Sequence, residues 1–358
     1  MTSVADLRGF AHTAVSHGST DELVDELAPT LRDWLSRRDR VFVNLTAERA
    51  DALRSALGAD ADGARWSDTY HWAPHPARRL RAIQDLVEGE ESHGSGQLRF
   101  VGECAFPAGV PALVAEWERF DAVLNEALAD APVTMVCTYD VDALPEGVAA
   151  RVPCTHPMLG VDPVVPSESY RRLHEVLDRT GALASLPASA THEKGRVAPA
   201  RARSLVRGML GGAGAEGPRR PQAVEDLAIV ATELVTNAWQ VGARSIEVWC
   251  WHDRGEMGVQ VDDDGPGLRD PLAGYRRPAS GVAGGRGLWI SRQLADLLEL
   301  APNGAGTSVR ARIFDGLPTS ERSGAGRPTS QRRGMPVSPA SPASPARTAR
   351  TASPARSR

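Results

Sequence analysis

Up to about residue 140, short apolar runs alternate with amphipathic segments of helical period. Leu23, Leu27, Leu31 and Leu35 recur every four residues, which predicts a helix, and the run RVFVNL at 40–45 follows as a short buried strand. Strands that read as apolar runs between helices are typical of a parallel sheet covered on both faces. The pattern therefore predicts an N-terminal domain of the α/β class.

The pattern changes between residues 200 and 314. A long helical segment, QAVEDLAIVATELVTNAWQV, precedes two strand-like runs, SIEVWCWHD and MGVQVDDD, which are joined by a turn signal. A further helix, GLWISRQLADLLEL, and a final alternating strand, TSVRARIF, complete the region. Strands joined as hairpins predict an α+β domain with a mixed or antiparallel sheet and helices on one face.

These patterns divide the 358 residues into four segments. We expect folded domains over 8–162 and 200–316, joined by a linker over 163–199 in which SYRRLHEVLDRTG reads as a helix. The segment 317–358 is predicted to be disordered, because SPASPASPA and scattered arginines offer too little apolar surface to fold. This tail is basic although the net charge of the chain is -4, so the remainder of the chain is acidic.

Composition excludes several classes of function. Lys194 is the only lysine and has no glycine-rich loop before it, so the sequence contains no P-loop. The four cysteines form no CxxC pair, and their spacing predicts reduced packing residues rather than a zinc site or a disulfide scaffold. The N-terminus does not read as a secretory signal and no apolar run is long enough to span a membrane, which predicts a cytoplasmic protein. The acidic balance predicts no direct nucleic-acid binding.

Two motifs of the C-terminal domain place carboxylates and an amide where they can meet a ligand. Glu233 and Asn237 lie one helical turn apart, on the face opposite the apolar stripe of their helix. Asp263 begins the run DDGPG, in which Gly265 and Gly267 let the backbone approach a planar ligand closely. An ionised carboxylate at that point can accept a strong hydrogen bond from an exocyclic amine.

Two further motifs are rich in glycine. Gly285, Arg286 and Gly287 open a helix, where free backbone N–H groups attract phosphate, and Thr307 directly precedes the last strand. Each motif alone is a weak signal, but the four in this order and spacing are a strong one. The series resembles the GHKL ATPases, with ELVTNA similar to their N box, DDDGPG to G1, GGRGLW to G2 and GTS to G3.

The compact form of this series resembles the anti-sigma regulatory factor (serine-protein kinase) branch of the GHKL ATPases. The resemblance implies a Bergerat-type fold that binds ATP and Mg²⁺. Asn237 would bind the Mg²⁺, Glu233 would act as the general base, and Asp263 would bind the adenine amine. Six other residues would contact the nucleotide, and 268–283 would form a lid over it: Gly265, Gly267, Gly285, Arg286, Gly287 and Thr307.

One position departs from that branch. Relatives often read NAxxHG after the N-box asparagine, whereas this chain carries Val241 in place of the histidine. The departure implies that ATP binding survives while phosphoryl transfer is weakened.

The N-terminal domain resembles the MEDS sensory domain, through VGEC, EWERFDAVLNEAL, VTMVCTYDVDAL and THPML. The resemblance implies a degenerate relative of the P-loop folds that senses a signal without hydrolysing ATP. We interpret His12, Tyr139, Asp140 and His156 as candidates for the sensing pocket. Turn, capping and packing roles account for these four residues equally well.

Three functions remain open at this point. The first is a regulatory switch that binds ATP, controls a sigma factor and phosphorylates Ser or Thr of an anti-anti-sigma (STAS) partner; relatives imply that it is a homodimer. The second is a sensor histidine kinase with His174 as phosphoacceptor, which the short isolated helix around His174 disfavours. The third is an ATP-gated binding module that has lost the transfer step.

Overall fold

The structure of the protein is a computed structural model. The residues it describes are 2–73, 75–91, 97–104, 110–177, 183–211, 222–268, 270, 272–277 and 285–315. The predicted disordered tail lies outside the described residues, and so does part of the predicted lid.

A seven-stranded sheet forms the centre of the N-terminal domain. Its spatial order is β3-β2-β4-β5-β1-β6-β7, and all neighbouring strands run parallel except β6 and β7. The strands are β1 (Ala11–His17), β2 (Arg40–Leu45), β3 (Ala64–Asp68), β4 (Leu98–Glu103), β5 (Val133–Asp140), β6 (Met158–Leu159) and β7 (Val165–Pro166). The predicted α/β class with a parallel sheet is confirmed.

Helices cover both faces of this sheet because its strands are apolar on both sides. They are α1 (Thr20–Ser36), α2 (Ala47–Leu57), α3 (Pro76–Glu91), α4 (Pro111–Ala127), α5 (Val148–Thr155) and α6 (Leu173–Leu177). Val43 and Val101 pack against α1 and α2, whereas Phe42 and Phe100 pack against α3 and α4. Successive strand residues thus point to opposite faces, as the pleat requires.

A five-stranded antiparallel sheet forms the C-terminal domain, in the order β11-β12-β10-β9-β8. The strands are β8 (Thr191–Gly195), β9 (Ile246–Asp253), β10 (Glu256–Asp263), β11 (Leu297–Pro302) and β12 (Thr307–Phe314). Three helices share one hydrophobic core with it: α7 (Pro199–Leu210), α8 (Ala223–Gln240) and α9 (Arg286–Leu294). This is the predicted α+β arrangement, and it is consistent with a GHKL domain.

The sequence pattern predicts one helix over the run GLWISRQLADLLEL, and this prediction is wrong. The structure divides the run into a helix and a strand. Helix α9 ends at Leu294, and residues from Leu297 onward pair with β12. Asp296 fixes the break, because its side chain accepts a hydrogen bond from the backbone N–H of Phe314 at 2.9 Å and its own N–H donates to the carbonyl of Arg312 at 3.0 Å. Short apolar runs fit helix and strand equally well until their partner is known.

The predicted linker contributes to both sheets. Residues Val165–Pro166 form the edge strand β7 of the N-terminal sheet, and Thr191–Gly195 form the edge strand β8 of the C-terminal sheet. Between them, the helix predicted around His174 is described only over Leu173–Leu177. The two sheets are therefore connected by a segment that belongs structurally to each of them.

A buried carboxylate joins the two domains. Glu116 of α4 accepts a hydrogen bond from the Tyr275 hydroxyl at 2.7 Å and forms an ion pair with Arg292 of α9 at 3.2 Å. The Arg292 guanidinium also lies 3.6 Å from the centroid of the Tyr275 ring, and Arg119 pairs with the other carboxylate oxygen of Glu116. Both partners of the Glu116–Arg292 pair are almost fully buried, so neither charge is solvated by water.

The end of α9 is also held by the N-terminal domain. The Arg78 guanidinium donates to the backbone carbonyls of Gln293 at 2.7 Å and Leu294 at 3.1 Å. A cation at this position satisfies carbonyls that have no partner within the helix. Close by, His75 lies 3.2 Å from Asp296, and both side chains are buried.

We predict that Glu116→Ala destabilises the protein by about 3 kcal/mol or more, because it leaves Arg292 buried without its counter-ion. Urea unfolding monitored by tryptophan fluorescence measures this change. Glu225→Ala is the matched control, since Glu225 pairs with Arg207 at the surface, and its unfolding midpoint should match the wild type. Equal midpoints for the two variants would contradict a stabilising role for the Glu116 contacts.

Candidate functional site

Helix α8 presents one apolar and one polar face, as predicted. Leu227, Ala231 and Leu234 are buried in the C-terminal core, whereas Glu233 and Asn237 are only partly buried. Glu233 forms no side-chain hydrogen bond with any residue in the described part of the chain. Its carboxylate is therefore not committed to a structural contact there.

The three aspartates at the end of β10 have different partners. Asp262 accepts a hydrogen bond from the Trp249 indole at 3.1 Å. Asp264 accepts from the backbone N–H of Arg244 at 2.7 Å and thereby fixes the turn before β9. Asp263 alone of the three lines the cavity beside α8. Asp263 is therefore the one carboxylate of the run that borders this cavity.

That cavity is small and mostly apolar, with a volume of about 70 Å³. Burial raises the pKa of Asp263, although the backbone N–H groups of Gly265 and Thr307 act in the opposite direction. The Gly265 N–H donates to Asp263 Oδ1 at 2.8 Å, which fixes the carboxylate. The cavity is lined by Leu234, Asn237, Ala238, Val241, Val261, Asp263, Gly267, Leu268, Leu288, Leu300, Thr307 and Val309. Apolar walls with one oriented acceptor suit a planar heterocycle that carries an amine.

The beginning of α9 lies against the polar face of α8. A Cβ added to Gly287 would lie 2.7 Å from the Asn237 amide nitrogen, so only glycine fits there without displacing Asn237. Gly285 is the N-cap with φ +75° and supplies no side chain to cap the helix. The first turn of α9, with its free backbone N–H groups and the exposed Arg286, therefore lies beside Asn237, where its N–H groups can bind an anion.

These contacts bring most of the predicted nucleotide-binding residues to one place. Asn237, Asp263, Gly267 and Thr307 line the same cavity. Gly265 contacts Asp263, and Gly287 contacts Asn237. Glu233 lies one turn before Asn237 on α8 and does not line the cavity itself. The Glu233 carboxylate is thus adjacent to the cavity rather than inside it.

Val241 lines the same cavity and is 53% exposed. It directly follows the last residue of α8, at the position where relatives often carry a histidine. An aliphatic side chain can contact a ligand but cannot donate a hydrogen bond to a phosphate or exchange a proton. At this position the cavity is thus lined by an aliphatic side chain, and a group that could donate a hydrogen bond or exchange a proton is missing.

A second cavity of about 320 Å³ extends from the first toward the N-terminal domain. Gly267, Leu268 and Thr307 line both cavities. Arg119 and Arg292, from the cluster around Glu116, line the second cavity only. Sequence reasoning missed both arginines, because no local motif marks contacts that form between domains.

The four residues interpreted as a sensing pocket divide into two groups. His12, Tyr139 and His156 meet beneath α4, with the Tyr139 hydroxyl 3.3 Å from His156 Nε2 and the two imidazole centroids 4.2 Å apart. Asp140 follows Tyr139 on β5 and points to the opposite face of the sheet, where it pairs with Arg49. The structure therefore does not place Asp140 with the other three.

Comparison with protein families agrees with both resemblances. Residues 11–157 match the family model described as MEDS, the MEthanogen/methylotroph, DcmR Sensory domain. Residues 196–313 match that of the histidine kinase-like ATPase domain, HATPase_c_2. No curated protein matches the chain. A sensory domain followed by a kinase-like ATPase domain supports an ATP-binding regulatory protein.

Of the helices within the described residues, none has the length and apolar character needed to cross a bilayer.

We predict that Asp263→Asn lowers the affinity for ATP by about 10- to 150-fold, the loss of one hydrogen bond to a charged group of about 1.5–3 kcal/mol. Isothermal titration calorimetry with Mg²⁺ and ATP measures the affinity. Asp264→Asn is the matched control and should bind as the wild type does, because the Asp264 carboxylate faces the backbone of Arg244. An equal loss in both variants would mean that Asp263 has no specific contact with the base.

Proposed function

We propose that this pairing of a MEDS domain with a kinase-like ATPase domain is an ATP-dependent switch of the anti-sigma type. In this proposal it binds a sigma factor or its STAS antagonist and phosphorylates a serine or threonine of the STAS partner. The observation that carries the proposal is Asp263, the one aspartate of its run directed into an apolar, glycine-bordered cavity. The order of the four motifs and their resemblance to the serine-protein kinases support the choice of acceptor.

The site fits ATP and Mg²⁺ by its donor set. Asp263 would accept a hydrogen bond from the adenine amine, with Thr307 beside it. Asn237 would hold the Mg²⁺, because an amide oxygen is a hard ligand, and the absence of a side chain at Gly287 lets Asn237 lie against the first turn of α9. Mg²⁺ supplies neutralisation of phosphate charge when bound. Arg286 and the free N–H groups at the start of α9 would contact the phosphates.

The chain's own contribution to transfer would come from Glu233. Its carboxylate has no structural partner among the described residues and lies one helical turn from Asn237. It would take the proton from the attacking hydroxyl of the STAS serine or threonine as that oxygen bonds to the γ-phosphorus, while the bond to the bridging oxygen breaks and ADP leaves. With no P-loop lysine in the chain, backbone N–H groups and Arg286 would stabilise the charge on the phosphate.

An ATP-gated binding module is the second candidate, and Val241 is the observation that favours it. The residue occupies the wall of the cavity where relatives often place a histidine. Nucleotide binding would then select one conformation of the protein for its partner, without chemistry.

The surroundings of His174 give less support to a histidine kinase than the site gives to the other two functions. This residue is exposed on α6, a helix of five residues whose Leu173 packs into the N-terminal core. Histidine kinases of the dimerising type need a long helix pair around the acceptor, and the described part of this segment forms no such pair.

We predict that Glu233→Gln keeps the wild-type affinity for ATP and abolishes phosphoryl transfer, because an amide retains the size of the side chain but cannot accept the proton. The measurement is transfer of label from γ-labelled ATP, with Mg²⁺, to candidate STAS proteins of the same genome. Glu225→Gln is the control on the same helix, since Glu225 pairs with Arg207 at the surface and should transfer normally.

The outcomes separate the three functions. Label on a STAS serine or threonine that is lost only in Glu233→Gln establishes the kinase. Binding of ATP without any label in the wild type favours the gated module. Label on His174 of the chain itself would establish the histidine kinase, and absence of ATP binding would exclude all three.

A further inference from the structure

Four side chains with metal-ligating atoms meet in the interior of the N-terminal domain. His12 comes from β1, Asp121 from α4, Cys137 from β5 and His156 from the residue after α5. Their nearest ligand atoms all lie within 4.8 Å of one another, and all four side chains are buried. Four separate elements therefore deliver two imidazoles, a thiol and a carboxylate to one point, far from the nucleotide cavity in sequence and on another domain.

The neighbours of the two imidazoles fix which ring nitrogen faces the cluster. His156 Nδ1 lies 2.9 Å from the carbonyl of Val152, which can only accept a hydrogen bond. His12 Nδ1 lies 3.0 Å from Asn125 Oδ1. That amide is oriented by its nitrogen, which donates to the carbonyls of Asp121 and Thr155. A neutral ring that donates to these acceptors carries its proton on Nδ1, so the lone pair of each Nε2 faces the cluster.

This is the arrangement that metal-binding histidines adopt, in which the outer ring nitrogen donates to a carbonyl or an amide and the inner one coordinates. His12 Nε2 is already 3.3 Å from Cys137 Sγ. Asp121 is oriented by the Tyr139 hydroxyl, which donates to its Oδ2 at 2.6 Å. The ligands thus have an outer shell of partners that holds them in place.

The cluster is costly as packing alone, because it places four polar groups where apolar side chains would serve. A cation among these ligands would compensate a buried carboxylate and a thiolate.

We propose that His12, Asp121, Cys137 and His156 bind one divalent transition-metal ion, and that zinc fits the site best. Two imidazoles, one thiolate and one carboxylate form a four-ligand set of the kind that zinc takes in tetrahedral sites. Binding converts the Cys137 thiol to a thiolate and releases its proton to solvent. The spacing of the cysteines predicts no zinc site, because only one cysteine is a ligand. The other three ligands are two histidines and an aspartate from distant parts of the sequence.

The test uses the purified full chain, stripped with a chelating resin, loaded with Zn²⁺ and desalted. We expect one zinc ion per chain by inductively coupled plasma mass spectrometry. Cys137→Ser and His156→Gln should each weaken zinc binding by more than about 100-fold, since even outer-shell partners are worth about 10- to 100-fold. Cys250→Ser is the matched control, because Cys250 is also a buried thiol but lies in the core of the ATPase domain, and it should retain the zinc.

Cobalt supplies a second readout, which can be recorded on the wild type itself. Co²⁺ bound to wild type should show a thiolate-to-metal charge-transfer band in the near ultraviolet, and Cys250→Ser should show the same band. Circular dichroism establishes that each variant is folded. The proposal is overturned if the wild type retains no zinc and shows no cobalt band, or if a folded Cys137→Ser binds as tightly as the wild type. Neither measurement involves ATP, so failure here is distinct from failure of the proposed kinase.

Discussion

The buried contacts of Glu116 hold the N-terminal and C-terminal domains together. The Glu116 carboxylate, which has almost no exposure, accepts a hydrogen bond from Tyr275 and pairs with Arg292 of the C-terminal domain and with Arg119 of its own helix. Separating the domains would therefore remove two of its three partners. Ion pairs buried in this way add little net stability compared with apolar packing, but separating them is costly. Such a contact favours one relative placement of the domains over many looser ones.

The same contact lies beside the candidate nucleotide site. Arg292 is on α9, whose first turn borders Asn237, and Tyr275 belongs to the segment predicted as the lid. Asp121 of the buried cluster is on α4, five positions after Glu116. One helix of the sensory domain therefore carries residues of both the proposed metal site and the domain contact. The proposed metal site and the domain contact are thus joined by one helix rather than by a flexible linker.

Local patterns predicted the parts of the fold that depend on local energetics. The apolar runs of β2 and β5 and the buried stripe of α8 follow from periodicity, because burial selects apolar residues at fixed spacing. Non-local pairing was not predictable. The boundary between α9 and β11 is set by β12, and the hydrogen bonds of Asp262 and Asp264 that leave Asp263 for the cavity form only after folding. His12 and Cys137, 125 positions apart, show the same limit for the buried cluster.

The strand β8 has a practical consequence for work on the ATPase domain alone. It pairs with β9 over Thr191–Gly195, just before the residues that match the ATPase family begin at 196. A fragment cut at that family boundary would expose the backbone donors and acceptors of β9 along an open sheet edge. Uncovered edges of this kind recruit other strands, so the fragment would be prone to self-association. A fragment that begins ahead of Thr191 keeps β9 paired with β8. Aggregation of the fragment that begins at 196 would therefore say nothing about the oligomeric state of the native protein.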